Sequence, residues 1–307
     1  MFAFSTCWNS KRHIDGRAML NEIRELGFEF AELGHATRLS LVDGIQKAVN
    51  AGEIKISSLH NFCPLPVGLT GPAPDYYQPS ARRETEREQA VRHTLRTLDF
   101  AASLGAPAVV LHLGSVEMRH YTEKLMLLFA QGRGATPKFE RVRQRALAVR
   151  AQKQPKHFEQ VRRSLDVIVP HAQQLKIKLG VETRLALEEI PFADEVGDLQ
   201  RRYGAATVAY WHDVGHAQVK ENFGFTRHET LLEQYRGCTA GIHLQDFTAP
   251  AFDHQPPGCG TFDFSRLTSY LTPAMICAWE IQPNWPAGKI AEPVKRVHDI
   301  LRLKPNP

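Results

Sequence analysis

Eight short apolar segments alternating with helical stretches predict one α/β domain, a single (β/α)8 TIM barrel around a parallel sheet. Three observations carry that expectation. The alternation runs from end to end without a linker, the apolar segments are of strand length, and several of them stop abruptly at His, Asp, Glu or Asn. In such a barrel the C-terminal strand ends form the mouth, so polar breaks there read as site residues. The 307 residues exceed the roughly 250 that a barrel needs. The excess is expected at about 115–156, as a helical insertion over the mouth after strand 4.

The elements follow in order. Phe2 to Cys7 is the predicted first strand, Asp15 to Leu26 a helix closed by Gly27, and Phe28 to Leu33 the second strand. Leu41 to Ala51 is helical up to Gly52, and Ile54 to Leu59 is a strand ending in His60-Asn61. Pro64, Pro66, Gly68, Gly71, Pro72 and Pro74 then resist regular structure, and a long loop inside a compact fold is often functional. Val91, Leu95, Leu98 and Ala102 recur at helical spacing, so Glu84 to Leu104 is a helix, capped by Gly105. Ala108 to Leu111 is a buried strand ending in His112-Leu113-Gly114. Within the insertion, Tyr121 to Ala130 is helical, Gly132-Arg133-Gly134 turns, and a basic helix covers Arg141 to Arg150. Its Arg141, Arg143, Arg145 and Arg150 are expected on a solvated face.

Phe158 to Leu175 is an amphipathic helix, and Ile177 to Val181 a strand ending on Glu182-Thr183-Arg184. A helix is expected around Glu188 to Tyr203. The sixth strand, Thr207 to Trp211, breaks into His212-Asp213-Val214-Gly215-His216, where a turn or first helical turn can aim Asp213 and His216 into one cleft. A helix around Glu229 to Tyr235, a strand from Ala240 to Asp246, a Gly/Pro-rich loop from Asp253 to Gly260, a strand from Met275 to Ile281 and a helix from Ala287 to Leu301 complete the pattern.

A composition 43% hydrophobic and 23% charged is that of a globular chain with a sizeable core. The net charge of +5 is too modest to point to nucleic acid as a partner. No apolar run is long enough to cross a membrane. Cys7, Cys63, Cys238, Cys259 and Cys277 have no paired spacing, so reduced thiols are expected. Met1-Phe2-Ala3-Phe4-Ser5 lacks the basic start and long apolar core of a signal peptide, which makes a cytoplasmic location the expectation.

Four consecutive strand ends supply Glu182, Asp213, His243 and Glu280. Neighbouring strands are about 4.8 Å apart, so these side chains can converge on one ion. Three carboxylates and one imidazole suit Mn²⁺, Co²⁺, Zn²⁺ or Mg²⁺. His60, His112, His216 and His254 sit at similar places, as substrate contacts or as ligands of further ions. Arg184 follows Glu182 by two and projects on the same side of an extended segment, towards an anionic or polyol substrate or a neighbouring carboxylate. Lys220 and Glu32 are secondary substrate candidates. His212 can point into the barrel wall. His35, His93, His120, His157, His171, His228 and His298 read as ordinary surface or packing residues.

The motifs His60-Asn61, His112-Leu113-Gly114, Val181-Glu182-Thr183-Arg184, Asp213-Val214-Gly215-His216, Ile242-His243-Leu244-Gln245-Asp246, Gly258-Cys259-Gly260-Thr261-Phe262-Asp263-Phe264 and Trp279-Glu280 resemble the xylose isomerase-like TIM-barrel superfamily. That superfamily holds sugar phosphate isomerase/epimerase proteins and endonuclease IV-type enzymes. On the epimerase side the resemblance implies a metal on Glu182, Asp213, His243 and Glu280. Glu182 and Glu280 would be the acid/base pair, with His216 on the substrate. The activity implied is isomerisation or epimerisation of a sugar or sugar phosphate by proton transfer through a metal-stabilised enediolate. On the endonuclease side it implies a multinuclear-zinc phosphodiester hydrolase. Glu182 would bridge to an ion on His60 and His112, and a third ion would take His216 and an Asp-x-His pair. This sequence departs from that pair, since Phe252 stands where the aspartate belongs and Asp253 adjoins His254. The expected partner is a small-molecule sugar, and a homodimer is the expected assembly.

Overall fold

In the computed structural model, which describes residues 1–69, 71, 74–192 and 194–301, eight parallel strands close into a barrel. Pro72 of the proline-rich loop lies outside the described residues. The strands are β1 (Phe2–Ser5), β2 (Phe30–Leu33), β3 (Lys55–His60), β4 (Ala108–Leu111), β5 (Lys178–Glu182), β6 (Val208–Asp213) and β7 (Thr239–Leu244). After β7 comes an antiparallel hairpin, β8 (Asp246–Thr248) with β9 (Phe252–Gln255), and β10 (Ile276–Trp279) then closes the barrel between β7 and β1. The hairpin corrects the expectation of an unstructured loop from Asp253 onward. The connecting helices are α1 (Gly16–Glu25), α2 (Val42–Asn50), α3 (Glu84–Ser103), α4 (Tyr121–Ala130), α5 (Pro137–Leu175), α6 (Glu195–Tyr203), α7 (Val214–Asn222), α8 (His228–Gln234) and α9 (Ala291–Leu301).

Side chains alternate along each strand, and the alternation sorts them into two layers. Ala3, Ala108, Val110, Ala209, Trp211, Ala240, Ile276 and Ala278 form a cluster inside the barrel. Phe4, Leu59, Val109, Leu111, Leu179, Val181, Tyr210, Ile242 and Trp279 pack outward against the helices. Trp211 fills the barrel because its neighbours make room. A Cβ built on Gly241 would stand 2.5 Å from its ring, and one on Gly180 2.6 Å.

Three helix expectations need correction. The basic run at Arg141 to Arg150 and the helix from Phe158 are one 39-residue helix, α5, which continues through Pro155. Proline there removes an amide donor, but buried Arg150, His157, Phe158 and Val161 hold the turns on either side. Arg150 is not on a solvated face. It is 6% exposed, and its Nη1 donates to Glu195 Oε1 at 2.6 Å. Helix α6 starts at Glu195 rather than near Glu188, because Glu188 and Glu189 turn their carboxylates to other work. Glu188 accepts from the Thr122 amide and hydroxyl at the start of α4, and Glu189 from Arg184 Nε. Asp213 caps α7, so it is the first helical turn that carries Asp213 and His216 together.

Candidate active site

The alternation that puts Ala209 and Trp211 inside the barrel carries Asp213 inward one step later, at the mouth. The same parity delivers Glu32 from β2, His60 from β3, His112 after β4, Glu182 from β5, His243 from β7 and Glu280 after β10. Glu182, Asp213, His243 and Glu280 are all buried, with one ligand atom each inside a 4.8 Å span. His243 Nδ1 is 3.0 Å from Glu182 Oε1, 3.1 Å from Glu280 Oε2 and 3.6 Å from Asp213 Oδ2. Behind it, His243 Nε2 donates to Glu32 Oε2 at 3.2 Å, and Ser58 Oγ donates to the same oxygen at 2.8 Å. Asp213 is fixed by the His216 amide and by Gln245 Nε2, each at 2.7 Å.

Two further groups adjoin the first. His60, His112 and Glu182 form one, with His112 Nε2 2.7 Å and His60 Nε2 3.4 Å from Glu182 Oε2. Asp213, His216 and His254 form the other. Hairpin strand β9 places Asp253 beside both histidines, with Oδ1 2.9 Å from His254 Nδ1 and Oδ2 3.9 Å from His216 Nε2. Asp253 thus lies beside both histidines, while Phe252 holds the sequence position of the aspartate in the Asp-x-His pair. The backbone makes this possible through His254, which has φ +56°. Gly215 lets the hairpin approach, since a Cβ there would be 2.7 Å from that of Asp253.

The donor set fits a cation. Each of the five histidines donates one ring N–H to an oxygen and turns its other nitrogen inward, as metal-ligating histidines do. His60 Nδ1 donates to the Asn61 carbonyl, His112 Nδ1 to Asp75, His216 Nδ1 to the Thr183 carbonyl, His243 Nε2 to Glu32 and His254 Nδ1 to Asp253. Burial works to raise the Glu182 carboxyl, but the charge on His112 and hydrogen bonds from His112, His243 and His60 hold it well below the usual carboxylate range. Glu280 is likewise held low against burial by His243 and His254. The histidines respond in kind. Burial and Arg184 disfavour the charged form of His112, yet Asp75 and Glu182 push it up to about 9. His243 is raised well above its usual value by Glu280 and Glu32, despite burial. Protons thus fill the charge that the carboxylates demand. A divalent ion would displace them.

The remaining candidates divide. Arg184 is buried at the site, with its Nη1 against both His112 Nε2 and Glu182 Oε2, the latter at 3.5 Å. Its Nη2 reaches Asp75 Oδ2 at 3.2 Å and also pairs with Glu189. Glu32 stands behind His243 and orients it rather than facing the mouth. Lys220 is not brought into the cluster and lines a separate cavity. His212 points outward, between the Tyr210 hydroxyl and His228 Nδ1. His228 is buried with it. His35 is not an ordinary surface residue. Its ring meets that of His60 edge-on at 4.9 Å, and it lines a cavity with His254 and Glu280. Burial and the neighbouring His60 push it down to about 3. Its place directly after β2 was the available signal. Asp75 and Glu189 were also missed, because loop residues carry no periodic pattern.

Comparisons with known proteins agree with this architecture. A 23%-identical relative in Sinorhizobium fredii, the uncharacterised protein y4fM, matches over 191 residues, 62% of this chain. The chain spans about half, 51%, of that relative's length. A putative xylose isomerase from Rhodospirillum rubrum superposes with a TM-score of 0.71 at 17% identity, covering 99% of both chains. D-allulose 3-epimerase from Methylomonas in complex with D-allulose gives 0.67 at 10% identity, over 97% and 96%. A Thermus thermophilus protein soaked with zinc chloride gives 0.61 at 19% identity, over 97% and 96%. The family model for xylose isomerase-like TIM barrels matches residues 20–298, and the chain belongs to that family.

Proposed function

We propose that the protein is a divalent-metal-dependent isomerase or epimerase of a sugar or sugar derivative. The observation that carries the reading is the pair of buried, ionised glutamates, Glu182 and Glu280, flanking His243 in one group. Mn²⁺, Co²⁺, Zn²⁺ or Mg²⁺ held by Glu182, Asp213, His243 and Glu280 would polarise a carbonyl and its neighbouring hydroxyl and favour the enediolate. One glutamate removes the proton beside the carbonyl, and the other returns a proton on the opposite face or the adjacent carbon. Glu32 would hold His243 in a single tautomer, His216 would meet substrate hydroxyls, and Arg184 would lend its charge to an anionic substituent. We assign residues 115–156 as the insertion over the mouth. The Val116 amide bonds the Glu188 carbonyl, tying that segment to the loop after β5, and Lys153 bonds the Glu117 carbonyl within the segment.

The family includes epimerases of free ketoses such as the Methylomonas enzyme, so D-allulose and its isomers are the first substrates to try. In D₂O, turnover should place deuterium on the carbon beside the carbonyl, read by NMR. Glu182→Gln should abolish the exchange while leaving the circular dichroism spectrum unchanged. Absence of exchange with every ketose, together with cleavage of a phosphodiester, would sink the reading.

A second reading, a multinuclear-zinc phosphodiester hydrolase, is favoured by one observation. His60 and His112 converge on the second oxygen of Glu182, while Asp253 joins His216 and His254. Against it stands Arg184, whose guanidinium contacts His112 Nε2 and Glu182 Oε2 where a bridged second ion would sit. A fixed positive charge there opposes a second cation.

A further inference from the structure

Lys220 belongs to α7, four residues beyond His216, yet it serves none of the three groups. It is 4% exposed, and among the described residues its Nζ makes one long hydrogen bond, 3.5 Å to the Pro191 carbonyl. An ammonium carries three donors. No carboxylate among the described residues lies within ion-pair distance of it. The Phe192 ring centroid is 5.2 Å away, which offers partial compensation.

Beside this amine lies a cavity of about 180 Å³. Phe192, Tyr210, Phe225 and Leu231 contribute its apolar lining, and Thr183 and Thr226 offer hydroxyls. Phe192 and Phe225 meet edge-to-face at 5.5 Å. Asp194, the one acidic lining residue, is exposed to solvent. The wall towards the barrel mouth is Thr183, whose hydroxyl bonds Tyr210 and whose carbonyl accepts from His216.

A buried cation with two unused donors, in an aromatic cavity, lacks an anion. We propose that this cavity is a second ligand site, which binds a small apolar monocarboxylate in an ion pair with Lys220. The size agrees, because an engineered cavity of roughly 150 Å³ holds benzene. Aromatic walls would take the body of the ligand, while Nζ and the Thr226 hydroxyl take its carboxylate. Burial, reinforced by Arg150 and Arg184 and only partly offset by Glu189 and Glu195, pushes the Lys220 amine down to about 7, and a bound carboxylate would favour its charged form.

Benzoate is the probe, titrated calorimetrically into the full-length protein as purified. One equivalent should bind, and Lys220→Met should weaken binding by roughly tenfold or more, the loss of a charge-assisted hydrogen bond. Phe225→Trp, which fills the cavity and keeps the amine, should also abolish it. Both variants are checked for folding by circular dichroism. Absence of saturable binding to the parent protein overturns the proposal. So does binding that persists in Lys220→Met, since benzoate would then be seated elsewhere, including at the strand ends.

Discussion

In the proposed metal centre, Arg184 would limit how many cations the barrel mouth takes. Its guanidinium is buried against His112 and Glu182, and paired with Asp75 and Glu189 on its far side. Arg184→Met should therefore raise the zinc content by one equivalent per chain, measured by mass spectrometry of metals after dialysis. An unchanged count would show that the arginine does not guard that position. Lys220 offers a different test. Its folded value near 7 lies below the ordinary 10.5, so unfolding takes up a proton between those pH values. Stability then rises with pH across that window, and the burden of the buried charge is greatest below it. Lys220→Met should stabilise the protein by a few kcal/mol at pH 6, with the gain fading by about pH 10. Urea unfolding at the two pH values reads this directly. An equal gain at both would contradict it.

The inward residues of this group were legible in sequence because each breaks an apolar strand near its C-terminal end. Glu182 and Asp213 end β5 and β6, His243 stands one residue before the end of β7 and Glu280 directly follows β10, and the barrel's geometry brings them together. His35 occupies the same kind of position after β2 but was read as a packing residue, since Gly34 breaks the strand before it. Asp75 and Glu189 come from irregular segments, where nothing in the residue order states what a side chain will meet.

Elements were legible in proportion to their periodicity. The strands, α3 and α4 follow the expected spans closely, and α4 matches end to end. Helix α5 reads in sequence as two segments because a basic run gives way to an amphipathic one, whereas in the structure tertiary packing around Arg150 and Phe158 carries one helix through Pro155. The β8–β9 hairpin was hidden by its composition. Asp246 builds the return from that hairpin, accepting the amides of Gly258, Gly260 and Phe262, and such side-chain-to-backbone bonds have no period to detect. Packing inside the barrel is also an element-scale property. A methyl group on Gly241 would enter the space of Trp211. Gly241→Ala should destabilise by about 1–3 kcal/mol through overpacking, seen as a lowered Tm. No change would mean that Trp211 has room to move.

At the scale of the whole molecule, a parallel barrel turns one rule, alternation along a strand, into a ring of polar ends facing one point. The carboxylates and imidazoles collected there could hold a metal ion, which is the basis of the proposed metal centre. Among the described residues no helix is long and apolar enough to cross a membrane. The family provides the frame, and the choice of chemistry rests on ion count. Anomalous scattering from crystals grown with Mn²⁺ or Zn²⁺ tests this most directly. A peak should stand among Glu182, Asp213, His243 and Glu280, and none between His60 and His112, where Arg184 lies. A second peak on His60 and His112 would contradict the isomerase reading and favour the hydrolase, and no peak at the four ligands would contradict the metal centre itself.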